Sequence, residues 1–284
     1  MVSREDYIGR GKGSYLPWEV GVYTQGKVGS KAILAALRKM FAAEDDVYVW
    51  DFRRTSLEGV RQHDSIRGTR RRLLVDEPEI AEFMIAHPDR DMRLTSVVRD
   101  PVAINLSSFF YNFGPRNPGL DIHDITDAEV IDRLLAGEAF SYRSYHLDWF
   151  DIEVSAQAGI DVYSKGSFPI ASGFEVYTGQ RGLRRTDLLV FRLEDMARVA
   201  ASALAEFYGR SECVVTRENT ADEQPYADRY KQFLCDSPLP AEWVAWQLNS
   251  NYAKFFYSDD ERVEFAKKWS GTAENIRLHK PKWR

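Results

Sequence analysis

The chain has 284 residues, of which 44% are hydrophobic and 29% are charged, and its formal net charge is −5. The apolar share excludes wholesale disorder, and the negative charge argues against a general nucleic-acid-binding protein. No apolar run approaches the ~18–20 residues of a membrane-spanning helix. The N-terminus lacks a secretory pattern, and two cysteines are too few for a disulfide framework. These features favour a soluble cytoplasmic globular protein.

Short apolar runs rich in β-branched and aromatic residues predict strands. They cover residues 19–23, 46–50, 93–98, 187–191 and, most weakly, 212–215. Apolar residues at helical spacing predict helices around 33–41, 78–86 and 197–208, and one or two more within 240–269. The alternation predicts an α/β fold, a doubly wound parallel sheet with helices on both faces, in a single domain spanning 1–284. Ligands of such sheets bind beyond the carboxyl ends of the strands.

The segment after the first predicted strand has the composition of a phosphate-binding loop. Gly26 and Gly29 allow backbone N–H groups to curl around an anion, while Lys27 and Lys31 add positive charge near a helix N-terminus. The segment differs from a Walker A loop because its lysine precedes the second glycine. An ordinary strand-to-helix turn with exposed lysines is the alternative.

The segment after the third strand carries a second possible anion site. Arg99 stands at the strand end, and Pro101 suits the first turn of a helix that places Ser107 about two turns along. A guanidinium and a hydroxyl together suit a phosphate group. The alternative is that Asp100 caps the helix and pairs with Arg99.

The two loops together resemble those of the sulfotransferase superfamily, whose donor is 3′-phosphoadenosine 5′-phosphosulfate (PAPS). The first loop is similar to the 5′-phosphosulfate loop, and its cofactor-binding residues would be Gln25, Gly26, Lys27, Val28, Gly29, Ser30 and Lys31. Arg99 and Ser107, eight residues apart, match the 3′-phosphate motif. That motif often has a further arginine at the position of Asn105.

Other segments extend the resemblance. Residues 191–196 are similar to the strand and Glu-Asp pair of the superfamily. The usual C-terminal Arg-Lys-Gly loop is not evident, and Arg217, in the segment 216–219, is the candidate to replace it. Within the superfamily, residues 25–30, 146–153 and 160–163 are most similar to a bacterial branch of capsular polysaccharide synthesis proteins.

The resemblance implies a P-loop nucleotide-transferase fold of sulfotransferase type. It implies PAPS as donor, 3′-phosphoadenosine 5′-phosphate (PAP) as product and no metal. The acceptor would be a hydroxylated molecule such as a saccharide, and residues 111–180 would form an acceptor-binding insertion. The oligomeric state stays open.

Sulfuryl transfer needs charge stabilisation on the leaving oxygen and a base for the acceptor hydroxyl. Lys27 is the expected stabiliser. Asp51, after the second strand, is the first candidate for the base, His63 is the second, and Asp151 with Glu153 is the third. Alternative roles are an Asp51 that caps a helix or pairs with Arg53, and solvated surface positions for the others.

Two clusters have both structural and functional interpretations. Arginines concentrate between Arg53 and Arg72, where they form a solvated face or attract an anionic ligand. The aromatic residues in 109–113 and 149–150 are core residues or stack on adenine or a sugar ring. Two other functions compete with sulfuryl transfer: a phosphoryl transferase, and a non-catalytic nucleotide-binding protein of a polysaccharide assembly system.

Overall fold

The computed structural model describes residues 16–44, 47–53, 77–137, 145–216 and 223–277. His63, Arg217 and the arginines between Arg54 and Arg72 therefore lie outside the described residues. The chain divides into two compact units. Unit 1 comprises 1–98, 149–162 and 171–218, and unit 2 comprises 99–148, 163–170 and 219–284.

Unit 1 contains a five-stranded sheet in the order β2-β1-β3-β5-β4. Its strands are β1 (Trp18–Tyr23), β2 (Val49–Phe52), β3 (Asp91–Val98), β4 (Phe174–Arg181) and β5 (Arg184–Arg192). β1 pairs in parallel with β2 and β3, and β3 pairs in parallel with β5. β4 is antiparallel to β5 at the edge, so the sheet is mostly rather than wholly parallel.

The helices are listed in chain order. They are α1 (Ser30–Met40), α2 (Glu77–Ala86), α3 (Pro101–Arg116), α4 (Asp127–Leu135), α5 (Tyr145–Trp149), α6 (Ala156–Ala158), α7 (Met196–Tyr208), α8 (Ala227–Asp236), α9 (Ala241–Leu248), α10 (Asn251–Phe256) and α11 (Asp259–Ser270). A π-helical turn, Phe150–Ser155, joins α5 to α6, and short 3₁₀ turns cover Val162–Lys165 and Leu193–Asp195. No helix among the described residues is long and apolar enough to cross a bilayer.

The central strands are buried on both faces, as their continuous apolar runs require. The adjacent residues Val22 and Tyr23 of β1 and Leu188 and Leu189 of β5, which point to opposite faces, are each at most 1% exposed. Strands of this composition are typical of parallel sheets covered by helices. The interior of unit 1 is therefore centred on β1, β3 and β5.

The strand order creates a topological switch point beside β1. From β1 the chain passes through α1 to β2, which lies on one side of β1. The next parallel strand after β3 is β5, and it lies on the opposite side of the sheet from β2. Connections that diverge in this way leave a crevice at the carboxyl ends of the two strands, the usual ligand site of open α/β sheets. The general right-handedness of such crossovers predicts α1 and α2 on opposite faces of the sheet.

Unit 2 is helical and has an aromatic interior. Phe110 of α3 contacts the rings of Phe109, Tyr230 and Phe233 with centroids 5.0–5.6 Å apart. Such ring clusters bury large apolar areas and favour edge-to-face geometry. Among the aromatic residues in 109–113, Phe109, Phe110 and Phe113 are thus core residues of this unit.

Several sequence predictions need correction. Residues 212–215 form no strand, and β4 was missed because its side chains are mostly exposed and carry no continuous apolar signal. β2 begins at Val49, three residues later than predicted. The segment 240–269 holds three helices rather than one or two, because Ser250 and Ser258 each cap a new helix with a side-chain oxygen.

Candidate functional site

The loop between β1 and α1 folds through the left-handed region of backbone space. Gly26, Lys27 and Gly29 have φ values of 88°, 59° and 83°. Among the described residues, Lys27 is the only non-glycine with a positive φ. Turns of this kind direct successive backbone N–H groups into one concavity, which binds anions. The predicted phosphate-binding loop therefore has a suitable backbone, and Lys27 adopts a conformation that is costly for its residue type.

The end of helix α1 adds to this site. The helix starts at Ser30 with Gly29 as its N-cap, which makes no side-chain capping hydrogen bond, and its first turn contains no acidic residue. The positive end of the helix dipole at this position favours an anion. Gly29 also packs closely against Leu193, since a Cβ on it would lie 2.8 Å from Cδ1 of Leu193 and that side chain would have to shift.

Three cationic residues belong to the loop or touch it. Lys27 is half-buried within the loop, and Lys31 lies in the first turn of α1. The third, Arg53, follows the carboxyl end of β2. A Cβ built on Gly26 would lie 2.8 Å from Nε of Arg53, so its guanidinium packs directly on this glycine. From the sequence, Arg53 was expected in a solvated or anion-attracting arginine run, or in an ion pair with Asp51; this contact with Gly26 was not predicted.

Thr24 and Gln25 begin the loop and are buried, with 1% and 3% of their surfaces exposed. The Thr24 N–H donates to the carbonyl oxygen of Phe52 at 3.2 Å, which extends the pairing of β1 with β2 into the loop. The Thr24 hydroxyl oxygen is buried and has no hydrogen-bond partner among the described residues. A buried polar atom of this kind usually serves a ligand or ordered water.

Asp51, the first candidate for the base, lies next to the loop. It stands opposite Val22 in the parallel register and is 2% exposed. Its Oδ2 accepts a hydrogen bond from Nζ of Lys31 at 2.9 Å, in an ion pair whose lysine is 40% exposed. The carboxylate therefore orients one of the cations of the loop.

A second carboxylate, that of Glu153, lies beside Tyr23, the last residue of β1. The Tyr23 hydroxyl donates to Oε2 of Glu153 at 3.2 Å, and both residues are buried. Tyr23 stacks on Phe52 with centroids 4.6 Å apart and meets Trp149 edge-on at 4.9 Å. Asp151 of the same π-helical turn is exposed. Asp151 and Glu153 were together the third candidate for the base, with solvated surface positions as the alternative. Asp151 fits that alternative, whereas for buried Glu153 it is wrong.

Trp149, the last residue of α5 and the N-cap of the π-helical turn, also supports the loop. Its indole Nε1 donates to the carbonyl oxygen of Arg53 at 3.1 Å, and the side chain is fully buried. The indole thereby fixes the backbone that carries the Arg53 side chain to Gly26. π-helical turns are rare and occur frequently at functional sites.

In unit 2, the backbone of Arg99 is held by one side chain. The hydroxyl of Tyr252 accepts from the Arg99 N–H at 3.0 Å and donates to the Arg99 carbonyl oxygen at 2.9 Å. The Arg99 guanidinium is bound to the Tyr230 hydroxyl, whose pKa is raised mainly by burial. Arg99 is half-buried and oriented from both sides.

Asp100 caps α3, as the structural alternative predicted. Its Oδ1 accepts from the Val102 N–H at 2.9 Å, and Oδ2 accepts from Nε1 of Trp269 at 2.6 Å. Burial raises the pKa of Asp100, against the opposing effect of the Trp269 hydrogen bond. Ser107 is half-buried on α3.

Asn105, where the superfamily often has arginine, has a structural role. Its Nδ2 lies 2.8 Å from Nε2 of His146, which is in turn 2.6 Å from Oε1 of Gln247. All three side chains are at most 3% exposed. Burial lowers the pKa of His146 to about 4, so the ring is neutral at physiological pH. This position therefore links α3, α5 and α9 instead of supplying a cation.

Comparisons with known proteins give one match. Residues 141–258 match the family model described as "Putative capsular polysaccharide synthesis protein" (NKWYS). The matched part is less than half of the chain; it contains Glu153 and Tyr252 but neither the 24–30 loop nor Arg99. No curated protein and no solved structure matches the chain.

Proposed function

We propose that the protein is a PAPS-dependent sulfotransferase that moves a sulfuryl group to a hydroxyl of a saccharide or small-molecule acceptor. The observation that carries the proposal is the 24–30 loop. Its left-handed backbone, an uncapped helix N-terminus and three cationic side chains converge at the carboxyl end of β1. Such an arrangement suits a phosphate or sulfate group.

The proposed reaction is a direct displacement at sulfur. The acceptor oxygen forms a bond to sulfur while the bond between sulfur and the bridging phosphate oxygen breaks, and that oxygen leaves with the electron pair as part of PAP. Lys27 is proposed to stabilise the charge that builds on it, which lowers the barrier because the interaction is strongest in the transition state. The acceptor proton passes to a base.

Asp51 stays the first candidate for this base, and Glu153 is a second one among the described residues. Asp51 already holds Lys31, whereas Glu153 accepts from the Tyr23 hydroxyl. Asp51→Asn and Glu153→Gln variants separate the two, because loss of the true base should lower the rate of sulfuryl transfer far more than it weakens PAP binding. His63 is tested in the same way by His63→Gln.

Arg99 and Ser107 are proposed to recognise the 3′-phosphate of the donor, and Arg217 to contribute to nucleotide binding, as the sequence resemblance implies. The hydroxyl clamp of Tyr252 on the Arg99 backbone supports this role for Arg99. The name of the matching family supports a saccharide acceptor and a role in the synthesis of capsular polysaccharide.

The decisive experiment is calorimetric titration of the full chain with PAP, with adenosine 5′-phosphate and with Mg·ATP. We expect PAP to bind and Lys27→Ala to weaken that binding. The Lys39→Ala variant, which removes the same charge from the exposed last turn of α1, should bind like wild type. Preference for Mg·ATP with hydrolysis would instead indicate a phosphoryl transferase. PAP binding without transfer to any acceptor would indicate a non-catalytic protein.

A further inference from the structure

Unit 2 contains an open cavity of about 570 Å³ between the end of α3 and the start of α8. Its aromatic part consists of Phe110, Phe113 and Tyr226, with Tyr111 at the edge. Phe110 and Phe113 are at most 2% exposed, so they are fixed by the core behind them, and the Phe110 and Tyr226 rings are 6.1 Å apart. A volume of this size accommodates one or two sugar rings.

Asp121 and His123 supply polar groups to the lining of the cavity. The backbone N–H of His123 donates to Oδ1 of Asp121 at 2.9 Å, and the His123 ring nitrogen Nε2 lies 3.3 Å from the carbonyl oxygen of Pro225. Because a carbonyl oxygen only accepts, Nε2 carries the proton in this contact. With Nε2 as the donor, Nδ1 of this imidazole tautomer and Oδ2 of Asp121 are acceptors for the hydroxyl groups of a ligand. The same contact links the 119–123 loop to residues 224–226.

The charge of the lining narrows the class of ligand. Of the described lining residues, none is lysine or arginine, and the one charged side chain is the carboxylate of Asp121. A nucleotide or a sugar that already carries sulfate would meet no counter-charge there and would be repelled by Asp121. A purely aliphatic ligand would leave the polar side of the cavity unpaired.

From these features we propose that this cavity is a binding subsite for a neutral pyranose. The half-buried ring of Tyr226, held by the buried phenylalanines behind it, packs against the C–H face of the sugar, and the Asp121 and His123 acceptors bind its hydroxyls. Its assignment as the acceptor subsite rests on the proposed function. The binding of a neutral sugar does not rest on it, and the two are tested separately.

The test is saturation-transfer NMR of the full chain with methyl β-D-galactoside, methyl α-D-glucoside and N-acetylglucosamine as neutral probes, and glucose 6-sulfate as the anionic probe. We expect at least one neutral probe to bind through its ring C–H protons. Binding should weaken about tenfold in both Asp121→Asn and His123→Ala, because each variant loses a hydrogen bond to a charged or polar partner. Glucose 6-sulfate should bind more weakly than the neutral probes.

The matched control is Asp124→Asn, an exposed change in the same loop outside the cavity lining. It should bind sugar like wild type. Calorimetry with PAP serves as the second readout, since none of the substituted residues belongs to the proposed donor-binding residues. The proposal is overturned if no neutral probe binds, if the anionic probe binds best, or if the Asp121 and Asp124 variants behave alike. If the wild-type protein binds a neutral sugar but does not bind PAP, only the proposed function is overturned.

Discussion

Replacing Lys27 by glycine should make the protein more stable and less active. At φ 59° a residue with a Cβ costs about 1–2 kcal/mol, which glycine avoids. Glycine has more conformational freedom in the unfolded chain, and this lowers the gain in stability by about 0.5–1 kcal/mol. We therefore expect Lys27→Gly to exceed Lys27→Ala in free energy of unfolding by about 0.5–1 kcal/mol. Both variants lack the ammonium group, and both should lose sulfuryl transfer by ~10²–10³-fold.

Urea unfolding of the two variants side by side isolates the backbone contribution, because they have the same charge and nearly the same side-chain volume. Transfer from PAPS, measured on the same preparations, isolates the charge. An alanine variant as stable as the glycine variant would show that the loop does not hold this left-handed conformation in solution. Near-normal turnover in either variant would remove Lys27 from the proposed reaction.

Three further predictions concern unit 2. Arg99→Ala should weaken binding of PAP far more than binding of adenosine 5′-phosphate in calorimetry; equal losses would show that Arg99 does not bind the 3′-phosphate. Tyr252→Phe keeps the ring but leaves two backbone groups of Arg99 unpaired, so urea unfolding should reveal a loss of about 2–4 kcal/mol; a loss below about 1 kcal/mol would mean that water replaces the hydroxyl. Because burial lowers the pKa of His146 to about 4, the unfolded chain binds the proton first as pH falls. Wild type should therefore lose up to about 3 kcal/mol between pH ~6.5 and ~4 relative to His146→Gln, and parallel stability curves would contradict a buried neutral ring.

The sheet was predictable wherever a strand is buried on both faces. β1, β3 and β5 carry continuous apolar runs, and each was found within three residues of its observed start. β4 has one buried residue, Tyr177, among half-buried and exposed ones, and it pairs through a two-residue turn at Gly182, so hydrophobicity alone gave no signal for it. The run at 212–215 shows the converse, since a short apolar segment without a pairing partner forms no strand.

The parts of the candidate site that follow from local sequence were also predictable. The glycine positions of the 24–30 loop indicated a turn that can curl around an anion, and Pro101 indicated the start of α3. The contacts of Arg53 with Gly26 and of Tyr252 with Arg99 depend on residues 27 and 153 positions apart in the chain. Nothing in local spacing encodes such pairs. For Arg53, its place directly after the carboxyl end of β2 was the one available signal.

The two compact units are interleaved along the chain. The polypeptide passes from one unit to the other at residues 98/99, 148/149, 162/163, 170/171 and 218/219. No single cut can therefore yield either unit as a continuous fragment, and an early stop codon would remove strands or helices from both. Biosynthesis has the same constraint: β5 enters the sheet only after some 85 residues that follow β3 have left the ribosome, so assembly of unit 1 must wait for most of the chain.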